Sequence, residues 1–162
     1  MAAAPTIDLN AQPGHLIRRL HQIAVGIFLQ ETAALGLTPV QYAALQAVHN
    51  EPGIDQRTLA SRITQDTSTT AGVVERLQGR GWLRREPDPA DRRARRLTLT
   101  EAGTALLAQA VPAMRRAQAR ILEPLSAEEQ ALCMQLLQRL VQHNNPHSRA
   151  PAGPPRPRPR GR

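Results

Sequence analysis

Leu16, Leu20, Ile23 and Ile27 recur four, three and four residues apart, a spacing that predicts one apolar stripe on a helix from Gly14 to Leu35. Gly36 supplies its stop. Thr38-Pro39-Val40-Gln41 has the form of a capping box with proline at the first helical position. Leu37 is placed to staple onto Tyr42, and the second helix then runs to about His49. Glu51-Pro52-Gly53 breaks it, and Asp55 caps a short third helix through Leu59, Ala60 and Ile63. Asp66 or Thr67 caps a fourth. In that helix Thr70, Val73, Val74 and Leu77 form an inward stripe and Ser68, Thr69, Gly72, Glu75 and Arg76 face outward; Gly79 and Gly81 close it.

The periodicity then changes. Trp82 to Glu86 and Arg96 to Thr100 read as two strands separated by the polar, turn-rich Pro87 to Arg95, a β-hairpin with a long tip. Glu101 to Leu122 returns to helical spacing, with Pro112 inside it removing a backbone donor and bending the helix. Ser126-Ala127-Glu128-Glu129 is a second capping box, opening a last helix through Leu132, Leu136, Leu137 and Leu140. From Asn144 the chain turns to Pro, Gly and Arg, a composition that buries too little apolar surface to offset its ordering entropy, so a disordered basic tail is expected over 144–162. Residues 1–13 are expected to form a flexible start.

Only three of the 162 residues are aromatic, so the core is built from Leu, Ile, Val and Ala, which favours packed helices. The formal charge of +8 points to a polyanionic partner. It is concentrated: residues 76–96 hold eight arginines against three acids, and 149–162 hold five against none. Eight arginines so close repel one another unless an anion relieves them. A single cysteine, Cys133, excludes an intramolecular disulfide and a Cys-based zinc site, and its place on the apolar face of the last helix suits a small buried hydrophobe. The start lacks a signal-peptide pattern and no apolar run approaches the length of a membrane span, so the expected compartment is the cytoplasm, without a membrane partner.

A helix with small polar residues on its outer face can approach base edges, and a neighbouring Arg-rich hairpin can reach phosphates or a minor groove. The run Leu37-Thr38-Pro39-Val40-Gln41-Tyr42, then Leu59-Ala60, Asp66 with Ser68 and Thr69, Val74 through Leu77, Gly81, and above all Asp88-Pro89-Ala90-Asp91-Arg92-Arg93 followed by Leu97-Thr98-Leu99-Thr100-Glu101-Ala102-Gly103, resembles the MarR family of winged helix-turn-helix regulators. The resemblance covers about residues 14–143. It implies a mainly helical fold with a small β-hairpin, a DNA-binding part over about 38–100, and dimerisation helices over about 14–35 and 101–143. It also implies a homodimer in which Leu106, Leu107, Met114, Ile121, Leu136 and Leu140 contribute partly to the subunit interface. Double-stranded DNA would meet Ser68, Thr69, Thr70 and Arg76 in the major groove, with Asp91 bracing Arg93 or Arg92, and Arg95 beside them, at the flanking minor groove.

Family members also bind small aromatic carboxylates beside the first helix, which implies a ligand role for His15, Arg18, Arg19 and His21 here, with His49 a weaker candidate. His15, Arg19 and Gln22 share one stripe of that helix, and Arg18 and His21 an adjacent one. These residues suit a dimer surface equally well. No His, Asp and Glu set has metal-ligand spacing, and no cofactor is implied. The expected function is therefore a sequence-specific regulator released from a pseudo-palindromic operator by an aromatic acid. A non-specific architectural nucleic-acid-binding protein is the alternative. An enzyme is disfavoured, since a Gly-rich phosphate loop, a nucleophile elbow and a paired acid cluster are all lacking.

Overall fold

The computed structural model describes residues 6–88 and 95–152. Among these described residues six α-helices and three short strands follow in the order α1 (Pro13–Glu31), α2 (Pro39–Asn50), β1 (Ile54–Asp55), α3 (Gln56–Arg62), α4 (Thr67–Gly79), β2 (Leu83–Pro87), β3 (Arg95–Leu99), α5 (Glu101–Leu122) and α6 (Ala127–Asn144). The fold is mainly helical with a small antiparallel sheet, as the sequence predicts, and the caps are the expected ones. Thr38 and Gln41 close a capping box on α2, Asp55 accepts from the Thr58 N–H, and Asp66 accepts from the Thr69 N–H. Ser126 and Glu129 close the box on α6.

Two boundaries differ from expectation. The first helix stops at Glu31 rather than Leu35: the Thr32 hydroxyl donates to the Phe28 carbonyl at 2.8 Å, a 3-10 turn spans Ala33–Leu35, and Gly36 takes the left-handed φ of 59° that reverses the chain. The sheet has a third strand. Ile54 and Asp55 pair antiparallel with Leu97 and Arg96, so β3 lies in the middle, between β1 and β2. Two residues are too few to show a period of two in a sequence. In the hairpin, Leu83 faces Leu99 and Pro87 faces Arg95, so both ends of the expected tip belong to the ladder.

The core gathers Leu37, Leu45, Val48, Ile54, Leu59, Val73, Val74, Leu77, Leu83 and Leu97, and α5 joins it through Leu107 and Ala110. The inner stripe of α4 is fully buried as predicted. In contrast, α1 buries only Phe28 and α6 buries nothing. Ile23 is 52% exposed and Val141 68%. Cys133 is half-buried, because the face it shares is not covered by this chain.

Candidate DNA-reading face and first-helix site

α4 is seated from within and polar without. Thr70 is fully buried, and its hydroxyl donates to the Asp66 carbonyl at 2.8 Å. It is a packing residue of the helix and does not stand with Ser68, Thr69 and Arg76, which are exposed. The Asp66 carboxylate accepts from the Ser68 hydroxyl at 2.5 Å, the Thr69 hydroxyl at 2.6 Å and the Thr69 N–H at 2.8 Å. These three bonds, with the Ser68 hydroxyl the largest influence, hold the carboxyl well below the usual carboxylate range. A methyl group at Gly72 would meet open space, so nothing inside the chain requires glycine there.

The hairpin root is less charged towards solvent than its composition suggests. Arg96 pairs with Asp88 at 2.8 Å, Arg85 donates from Nη2 to Gln56 at 2.5 Å, and Arg84 stands 3.9 Å from Glu86. Arg80 donates to the Gly36 carbonyl at 3.2 Å. Part of the arginine crowding is thus relieved within the chain. Arg76 and Arg95 remain exposed. Asp91, Arg92 and Arg93 lie outside the described residues.

On α1, Arg18 donates to Gln22 at 3.3 Å and Arg19 to Asn10 at 3.4 Å. Arg18, Arg19 and His21 are exposed, and His15 on the first turn is half-buried. Leu16, Ile17, Leu20 and Ile23 beside them are exposed as well, so one chain alone does not enclose a ligand on this stretch. His49 is exposed on the last turn of α2, and among the described residues no hydrogen bond or ion pair joins it to the α1 group. Further along α1, Phe28 packs on Tyr42 with ring centroids 6.1 Å apart. Burial pushes the Tyr42 hydroxyl up, against the opposing charge of Arg115. No local sequence pattern singles out Arg115, because only the packing of α5 against α2 brings it towards Tyr42.

Glu31 accepts from Arg116 at 2.9 Å and Arg120 at 2.8 Å, tying the end of α1 to α5. Those bonds, Arg116 first, lower its pKa. Among the described residues no cluster of His, Cys, Asp and Glu is arranged to hold a metal ion, and no helix is long and apolar enough to cross a membrane.

The MarR family profile matches residues 37–94. The HTH-type transcriptional repressor NicR of Pseudomonas putida is 34% identical over 134 residues, covering 83% of this chain and 85% of that protein. Two solved structures are also similar. The PcaV transcriptional regulator of Streptomyces coelicolor, in complex with its natural ligand, is 37% identical with a TM-score of 0.77, over 86% of this chain and 98% of that one. BpsR of Bordetella bronchiseptica, whose DNA binding is regulated by 6-hydroxynicotinic acid, is 32% identical with a TM-score of 0.79, over 84% and 97%.

Proposed function

The chain belongs to the MarR family of transcriptional regulators, and from that premise we propose that it is a homodimeric repressor. It reads a pseudo-palindromic operator through α4 and releases it when a small aromatic carboxylate binds. The observation that carries the reading is the division of α4. One face is locked in the core by Thr70, Val73, Val74 and Leu77 while the other offers Ser68, Thr69 and Arg76 to solvent. A helix held rigidly by one face with short polar side chains on the other fits a major groove. The open space over Gly72 supports close approach of the α4 backbone to DNA. Arg95 and, at the hairpin tip, Arg92 and Arg93 braced by Asp91 supply phosphate or minor-groove contacts.

The dimer reading is supported by the exposed apolar faces of α1 and α6, which a second copy covers, setting two α4 helices about one DNA turn apart. The ligand reading is supported by the cationic first helix and by the regulation of BpsR. His15, Arg18, Arg19 and His21, with the second subunit closing the surface, pair with the carboxylate; His49 is a peripheral candidate. Such a regulator works in the cytoplasm and carries out no catalysis of its own.

Competition binding on DNA selected from random sequence is the test. A thousandfold or so preference for one palindrome is the expected result, with Arg92→Ala plus Arg93→Ala weakening it by about 1–3 kcal/mol per side chain. Little preference over random DNA would make the protein architectural instead. Calorimetry with 6-hydroxynicotinate and hydroxybenzoates, on wild type and on His15→Ala, Arg19→Ala and His21→Ala, tests the effector. By linkage, an acid that releases DNA binds the DNA-bound dimer more weakly by the same factor.

A further inference from the structure

The two ends of α4 are anchored differently. At its start the side-chain bonds are local, from Ser68 and Thr69 to Asp66. At its end, the C-cap residue Arg80 reaches across the fold. Its Nη1 donates to the carbonyl of Gly36, 44 positions earlier, and its guanidinium carbon lies 4.9 Å from the centre of the Trp82 ring. Gly36 is the left-handed residue between the 3-10 turn that finishes the first helical segment and the Thr38 cap of α2.

The next two residues are held from the other side. The Gly81 carbonyl accepts from the Thr100 hydroxyl at 2.6 Å, and the Trp82 carbonyl accepts from the Thr100 N–H at 3.2 Å. Thr100 in turn caps α5 by accepting from the Gly103 N–H. The exit of α4 is therefore pinned to the start of α5, and Arg80 leans from that fixed point onto the α1–α2 turn. A planar guanidinium can lie over a ring and still aim an edge N–H at a carbonyl; an ammonium on a flexible stem does not combine the two in the same way.

We propose that Arg80 is a positioning residue for DNA recognition, a strut that transmits the placement of the α1–α2 turn to α4. A shift of α1 against α2 then tilts the face carrying Ser68, Thr69 and Arg76. Exposed interactions of this kind are too weak to hold the fold together, but they bias a small tilt, and a dimer reading two half-sites registers the tilt twice. The strut rests on the reading of α4 as the DNA-contacting helix.

Arg80→Lys and Arg80→Gln test it, each titrated with the sequence that wild type selects from random DNA and with unselected DNA, over a range of salt. Both variants are expected to bind the selected sequence about five- to twentyfold more weakly and unselected DNA less than twofold more weakly, because position is disturbed in both while Lys keeps the charge. Trp82 is the sole tryptophan, so acrylamide quenching of the free protein reports the Arg80–Trp82 stacking without DNA, and it should rise in both variants. Three results would overturn the strut: wild-type quenching in both variants, wild-type affinity in both, or full rescue by Lys with a salt slope that falls by about 1.8 per dimer in Gln. The last pattern marks two phosphate contacts. If wild type selects no sequence, the DNA reading itself fails and the strut falls with it, whereas weakening confined to the variants leaves that reading intact.

Discussion

A β-carbon at Gly103 would stand 1.9 Å from the Trp82 carbonyl oxygen, a backbone atom that two neighbouring hydrogen bonds hold in place. Gly103→Ala is therefore expected to destabilise the protein by about 3 kcal/mol or more in urea unfolding, at the upper end of overpacking costs. Asp66 behaves differently. Its folded-state pKa is depressed by the Ser68 and Thr69 hydroxyls and the Thr69 N–H, so its contribution is fully present above the unfolded carboxyl's pKa and is lost as the pH falls through the folded value. The stability gap between wild type and Asp66→Ala should hold steady from pH 7 to about 5 and narrow below about pH 4. Unfolding titrations across that range are the check, and a gap that widens in acid would contradict it.

α4 and α6 present opposite problems. In α4, Gly72 is unhindered inside the chain, so Gly72→Ala should raise helix stability by about 0.5–1 kcal/mol. If the backbone there lies against DNA, the same methyl should weaken operator binding, a divergence that thermal melts and binding titrations read separately. In α6, Leu136 and Leu140 are 45% and 51% exposed and the helix buries nothing within its own chain. Leu136→Arg with Leu140→Arg should thus leave the fold intact while costing about 2 kcal/mol or more of dimer affinity for each side chain. Analytical ultracentrifugation should find monomers with native circular dichroism.

For the whole molecule, charge is divided between the hairpin and the far C-terminus, where five arginines and no acid follow residue 148. Truncation after His147 should lower affinity for all DNA alike and flatten the salt dependence by about 0.9 for each phosphate the tail had neutralised. Sequence preference should survive. A truncated protein that no longer distinguishes its operator would place recognition in the tail.

The caps, the inner stripe of α4 and the extent of α5 were legible in the sequence because each depends on residues within a few positions of one another. Asp55, Asp66 and Ser126 need only a backbone N–H three residues on. What covers an apolar stripe is not a local property. Leu107 and Leu136 occur on helices with similar spacing, yet Leu107 lies in the core and Leu136 is left open, since a period of about 3.6 names a face and not its neighbour. The same limit hid β1, whose two residues acquire meaning only from β3, far along the chain. It also hid the partners of Arg80, Arg85 and Arg96. Charge density could be counted along the chain, but which arginines find acceptors inside it was decided by tertiary structure, because Gly36 and Gln56 reach Arg80 and Arg85 from other segments through packing, and Asp88 meets Arg96 only through the register of the hairpin.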